Sequence, residues 1–200
     1  TTLGIIGTGQ QARTQLLAVA AVRPLRSILA YGRDEARREA FAQEMTQRSG
    51  VQVRPVSSAE EAVREADVVV TMTTARDPAV KGEWLRPGTH VNAAGSNWAI
   101  RREVDDATVE RSAVVAVDSK EQALLEAGDL VIAAAAGRFD WAQAVELGQI
   151  VAGQVNGRPS TDTNTLFKSL GIALEDIATA GLVYTLARER GLGMELDILG

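Results

Sequence analysis

The residues whose types and spacing carry the most chemistry are Gly7-Thr8-Gly9-Gln10-Gln11-Ala12, a GxGxxA run placed directly after the apolar stretch Leu3-Gly4-Ile5-Ile6. In this pattern Gly7 permits a tight reversal, Gly9 lets the backbone approach a pyrophosphate, and Ala12 seats a helix close on its strand. Free N–H groups at a helix start hold phosphate. Glycine turns also serve packing alone. Here the run follows one apolar strand, opens a helix and precedes a second strand at Ser27 to Tyr31, which together imply a dinucleotide site.

The tip of that second strand bears on which dinucleotide is bound. An acidic residue there holds a ribose 2′-hydroxyl, whereas this chain has Gly32-Arg33-Asp34. A small residue followed by arginine leaves room for a 2′-phosphate and offers it a planar, bidentate donor, so NADP(H) is favoured over NAD(H). Asp34 keeps the choice open, either as a displaced ribose acceptor or as the cap of the next helix. Arg37 and Arg38 add charge nearby or, as helix residues, are simply solvated, the reading preferred here.

Further along, Thr73 and Thr74 end the β-branched run Asp67-Val68-Val69-Val70-Thr71, and Gly95-Ser96-Asn97 ends the next strand. Ligands of an open parallel sheet sit beyond the carboxyl ends of its strands, which points these residues at a cofactor. Threonines there also satisfy plain β propensity. His90, the only histidine, stands at the start of its strand, away from that end, and reads as structural. A histidine-centred acid/base design is thereby removed.

Composition sets the outer bounds. A chain of 200 residues with 46% hydrophobic content buries a full core. A net charge of -5 with scattered Lys and Arg gives no basic stripe for nucleic acid. The absence of cysteine excludes disulfides and thiolate metal sites, in keeping with a cytoplasmic protein, and no metal site is expected. Apolar patches such as Leu130 to Ala136 are too short for a bilayer.

These residues need a scaffold to hold them, and the patterning supplies one. A helix from Gln10 to Val22 turns Ala12, Leu16, Leu17 and Ala20 inward, and Pro24 stops it. A helix from Asp34 to Arg48 buries Ala36, Ala40, Phe41 and Met45 before Gly50. Then come a strand over Val51 to Val56, a capping box of Ser58 and Glu61 on the helix Ala59 to Glu65, and strands at Asp67 to Thr71 and Thr89 to Ala94. A helical turn at Ala107 to Glu110 precedes a strand at Ala113 to Val117. Asp118-Ser119 caps Lys120 to Ala127, and a further helical run reaches Ala136. The segment around Trp141 and Gly148 receives no assignment. A turn at Asn156 to Ser160, a strand at Asn164 to Phe167 and a long amphipathic helix at Ile172 to Arg190 complete the chain. Such alternation specifies an α/β fold with a doubly wound, mostly parallel, Rossmann-like sheet.

Taken in order, Gly7-Thr8-Gly9-Gln10-Gln11-Ala12, Asn92-Ala93-Ala94-Gly95, Val117-Asp118-Ser119 and Leu166-Phe167-Lys168-Ser169-Leu170-Gly171-Ile172-Ala173-Leu174-Glu175-Asp176 resemble the ornithine cyclodeaminase and mu-crystallin family along the whole length. The resemblance implies a nicotinamide-dependent protein that transfers hydride at the carbon of a C–N bond. The chain opens on Thr1 directly at the first strand. By the resemblance it is the cofactor-binding part of a larger two-domain protein. Its tail, about residues 185–200, returns to a preceding substrate domain through which a homodimer forms and which holds the clamp for the substrate carboxylate.

The resemblance also assigns roles. Gln10 and Gln11 match phosphate-loop contacts, Thr73 and Thr74 the loop over the ribose, Ala94 and Gly95 the bend beneath the nicotinamide, and Ser169 and Leu170 the loop beside the ring. Where the cyclodeaminases carry aspartate two residues after the bend, this chain has Asn97. An amide cannot act as a general base at neutral pH, though it can orient a substrate. That departure counts against ammonia elimination and favours reduction of a ketimine or cyclic imino acid, a small-molecule substrate that Asn97 orients. Arg101 attracts the substrate carboxylate or points to solvent. The alternatives are a cyclodeaminase-type lyase and a binding protein of the mu-crystallin type that holds NADPH and a small ligand without turnover.

Overall fold

The structure, a computed structural model, describes residues 1–196. It divides into two units, residues 1–170 and the segment from Gly171 onward. The first unit holds the sheet and the helices packed on it. It begins with β1 (Thr2–Ile6), α1 (Gln10–Val22), β2 (Ser27–Tyr31), α2 (Glu35–Ser49), β3 (Val53–Pro55), α3 (Ala59–Arg64) and β4 (Val68–Thr71). It continues with β5 (His90–Ala93), α4 (Asp106–Glu110), β6 (Ser112–Val117), α5 (Lys120–Glu126), α6 (Gly128–Ala135), β7 (Ala144–Glu146), α7 (Leu147–Val151) and β8 (Asn164–Lys168). The strands form one eight-stranded sheet in the order β3-β2-β1-β4-β5-β8-β6-β7. Every pairing in it is parallel. The doubly wound α/β expectation holds, and the order reverses between β1 and β4, where such sheets open a crevice.

Two cores flank the sheet. Leu3, Ile5, Ala12, Leu16, Phe41 and Met45 belong to one, under α1 and α2. The other gathers Ile6, Val69, Val91, Val115, Leu130 and Leu166 on the opposite face. The inward stripes differ in detail from the expected ones. Val19 rather than Ala20 completes the buried set of α1. In α2, Ala36 and Ala40 are exposed while Phe41, Ala42 and Met45 are buried. The larger side chains set the helix rotation, since alanine gains little from burial. The capping box on α3 is half formed. Ser58 accepts from the Glu61 N–H, but the Glu61 carboxylate takes the Ser57 N–H at 3.2 Å and Arg54 at 2.6 Å.

Two further differences concern the far half of the sheet. The unassigned stretch contains β7, a three-residue edge strand too short to show an alternating pattern. The last strand, β8, inserts between β5 and β6 and includes Lys168 as its final residue. In the second unit, α8 (Ala173–Glu189) carries Glu175 and Asp176 in its first turn, and none of its side chains is buried. The expected helix is present there. Residues 197–200, the end of the expected returning tail, lie outside the described residues. No described helix is long and apolar enough to cross a membrane.

Candidate functional site

The turn between β1 and α1 explains its glycines by different means. Gly7 has φ +107°, and an added Cβ would strike the Met72 carbonyl, so this position needs glycine for the fold itself. At Gly9 a Cβ would meet nothing within 4 Å. Gly9 is the N-cap of α1, with no side-chain cap and no acidic residue in the first turn. The helix therefore presents its first N–H groups unshielded, the arrangement that binds phosphate. Gln10 and Gln11 are exposed at the same end, and Ala12 is fully buried against the sheet. Arg13 braces the turn from below by donating to the carbonyls of Thr8 and Gly9 at 3.2 and 3.0 Å while pairing with Glu44 at 2.7 Å.

The tip of β2 lies against this turn. Gly7 N–H donates to the Tyr31 carbonyl at 2.8 Å, and a Cβ on Gly32 would meet the Thr8 hydroxyl at 2.6 Å. Arg33, the next residue, is exposed and, among the described residues, pairs with no carboxylate. Asp34 takes the capping role: its Oδ1 accepts the Arg37 N–H at 2.9 Å at the start of α2. Arg38 departs from expectation. Instead of being solvated, it folds back to donate to the Gly32 carbonyl at 2.9 Å, with its side chain only 12% exposed. That bond fixes the peptide from which Arg33 projects.

Beyond β4, β5 and β8 the construction changes. Thr73 N–H and Oγ1 both donate to Glu103 Oε1 at 2.7 Å, and Gly95 N–H donates to Glu103 Oε2 at 2.6 Å. The Thr73 hydroxyl is thus already engaged by Glu103, whereas Thr74 is exposed. A Cβ on Gly95 would collide with Thr73, which makes glycine the residue that lets the two loops touch. Burial raises the Glu103 carboxyl above its ordinary value, opposed by the hydrogen bonds from Thr73 and Gly95 and by the charge of Lys168. Asp129, at the start of α6, accepts the N–H groups of Glu103 and Val104 at 2.6 and 2.9 Å. Lys168 Nζ lies 3.1 Å from Asp129 Oδ2, and both side chains are fully buried.

Ala94 and Ser169 line one cavity of about 260 Å³ together with Gln15 and Val19 of α1. Ser169 N–H donates to the Ala93 carbonyl at 3.1 Å. Asp118, expected to help cap α5, leaves that task to Ser119. Its carboxylate takes Ser169 Oγ at 3.1 Å and the Leu170 N–H at 2.8 Å, holding the loop after β8 in place. Asn97 is exposed on the loop after β5. Arg101, on the same loop, stacks its guanidinium 4.6 Å from the centroid of the Trp98 ring, which is itself exposed.

Sequence reasoning missed Glu103, Asp129 and Lys168 and misread Asp118. The available signal was Lys168, a cation closing the strand Asn164 to Phe167, where a buried charge needs a partner elsewhere in the chain. His90, by contrast, stands where expected, at the amino end of β5 beside a groove of about 660 Å³. Its ring nitrogens lie 2.7 Å from Thr165 Oγ1 and 3.0 Å from Asn92 Oδ1. Burial holds its pKa below the ordinary value, as do the charges of Arg158 and Arg23.

Known proteins share this chain's sequence and its fold. The chain is 41% identical over 197 residues to a Delta(1)-pyrroline-2-carboxylate reductase of Bacillus cereus, covering 98% of this chain and 60% of that protein. It is 39% identical over 185 residues to the ketimine reductase mu-crystallin of Mus musculus, covering 91% and 54% respectively. The structure of Thermococcus litoralis Delta(1)-pyrroline-2-carboxylate reductase in complex with NADH and L-proline superposes with a TM-score of 0.94 at 44% identity, over 98% of this chain and 61% of that one. The chain therefore spans about 60% of the length of the reductase relatives it matches. With the family pattern matched over residues 1–191, the chain belongs to the ornithine cyclodeaminase/mu-crystallin family.

Proposed function

We propose that this chain is the nicotinamide-cofactor-binding part of a reductase that delivers hydride to the carbon of a C=N bond in a ketimine or cyclic imino acid. The observation that carries the reading is the uncapped start of α1 behind Gly9, an amide cradle with open space in front and no acidic residue to repel a diphosphate. Support comes from relatives named as pyrroline-carboxylate and ketimine reductases and from a solved relative holding NADH and L-proline.

The residues present fit such a cofactor. Gly9, Gln10 and Gln11 take the diphosphate, and Arg33 takes a 2′-phosphate, which favours NADPH over NADH. Thr74 borders the ribose, with Thr73 behind it as support. Ala94, Gly95, Ser169 and Leu170 form the floor and side wall for the nicotinamide. A reduced nicotinamide, when bound, supplies the hydride. The chain's own contribution is orientation and exclusion of water around a substrate whose protonated imine nitrogen needs no enzymic base. Asn97 donates or accepts a hydrogen bond to fix that substrate, and Arg101, braced on Trp98, faces its carboxylate. In the full-length protein the exposed apolar residues of α8 pack against the domain that completes the substrate site.

Stopped-flow absorbance on the full-length protein tests the reading. Decay of the NADPH signal with at least one member of a panel of cyclic imino acids is expected. Silence with every imine rejects the reductase reading. Ligand binding strengthened by NADPH, without turnover, would replace it with a binding protein.

A further inference from the structure

The buried charges behind the Ala94–Gly95 turn are not needed to close the core. An ammonium in a dry interior costs several kcal/mol to desolvate, and well-packed apolar residues usually serve stability as well or better. What Lys168 does instead is grip backbone. Its Nζ donates to the Ala93 carbonyl at 3.3 Å and to the Ser96 carbonyl. Those carbonyls bracket Ala94 and Gly95. Asp129 Oδ2, 3.1 Å away, holds the ammonium in place, and Asp129 is itself fixed by the amides of Glu103 and Val104. Glu103 then takes the Gly95 N–H from the other side. The turn is clamped at both flanking carbonyls and at its own amide by fully buried side chains.

We propose that Lys168, locked by Asp129, is a positioning residue for hydride transfer: it sets the height and tilt of the Ala94–Gly95 turn that forms the floor under the nicotinamide. This rests on the cofactor reading above. Hydride transfer is sensitive to donor–acceptor geometry, and misplacement by about 1 Å can cost on the order of a hundredfold in rate. The diphosphate contacts lie elsewhere, at the start of α1 behind Gly9, away from this turn.

The test uses full-length protein. Lys168→Met alone strands a buried carboxylate and can prevent folding, so the decisive variant is Lys168→Met combined with Asp129→Asn. The pair is then neutral, and the Asn oxygen still accepts from Glu103 and Val104. Three quantities are measured: the NADPH dissociation constant, the pre-steady-state hydride-transfer rate to a five-membered cyclic imino acid, and the fluorescence lifetime of bound NADPH. The expected result is a dissociation constant within threefold of wild type, a rate lowered ten- to hundredfold, and an altered lifetime. A rate within twofold of wild type overturns the proposal, as does a rate and an affinity that fall by the same factor, which would mark general damage. If the wild-type protein reduces no imine, the reductase reading fails on its own and the lifetime decides. An altered lifetime at unchanged affinity supports the positioning role, and an unaltered one ends it.

Discussion

At the turn between β1 and α1 the fold leaves backbone N–H groups open, with Gly9 facing free space and no side chain capping the helix. At the tips of β4, β5 and β8 the neighbouring loops are tied down by Glu103, Asp129, Asp118 and Lys168. The first region lacks side chains at the helix start. The second buries charged ones. An anion brings its own charge and needs only exposed donors, whereas a flat ring that must meet a substrate needs a floor that does not move.

The largest effect is expected where the second region is broken. Lys168→Met should cost about 3–5 kcal/mol of stability by leaving Asp129 buried and unpaired. In a thermal melt this lowers Tm by roughly 10–15 °C. Adding Asp129→Asn should restore most of the loss, and a single variant as stable as wild type would show that the pair is not truly buried.

The two glycines of the first region sharpen the comparison from the other side. Gly7→Ala places a Cβ in a positive-φ backbone and against the Met72 carbonyl, and should cost about 2–4 kcal/mol by chemical denaturation. Gly9→Ala meets no neighbour, so stability should stay within about 0.5 kcal/mol while dinucleotide affinity falls. Equal effects on stability would erase the distinction between a folding glycine and a binding one. Next in size, Arg33→Ala should weaken NADPH relative to NADH by roughly 1.5–3 kcal/mol, the worth of a charged hydrogen bond, as read by calorimetry. Equal weakening of both coenzymes would place Arg33 away from the ribose.

The contrast also explains what could be read in the sequence. Gly7, Gly9 and Ala12 announce themselves because only small residues satisfy a local backbone demand, and the helices and strands that follow obey local periodicity. Asp34 and Ser119 were legible as caps for the same reason. Glu103, Asp129 and Lys168 meet only after β8 slots between β5 and β6, so their partnership depends on strand order, which no local pattern encodes. Thr73 shows the cost. The strand that ends just before it is legible in the β-branched run, but the bond from its hydroxyl to Glu103 is not.

The smallest effect concerns the far end of β5. Because burial lowers the His90 pKa in the fold, the neutral ring contributes stability that is present above the unfolded value of 6.5 and is lost as pH falls through the folded one. Stability measured from pH 7 downward should therefore drop more steeply in wild type than in His90→Gln. Parallel curves would assign the acid sensitivity to other groups. Coenzyme affinity near neutrality should be untouched by the change, since His90 sits at the opposite end of the strand from the crevice.

The central claim is that the open amide cradle at Gly9, with Arg33 beside it, binds a nicotinamide dinucleotide. Isothermal calorimetry of the full-length protein with NADPH and with NADH tests it directly. Binding of both is expected, NADPH at least about tenfold tighter, with weakening of both by Gly9→Ala. Absence of heat with either coenzyme, from protein shown to be folded, would contradict it.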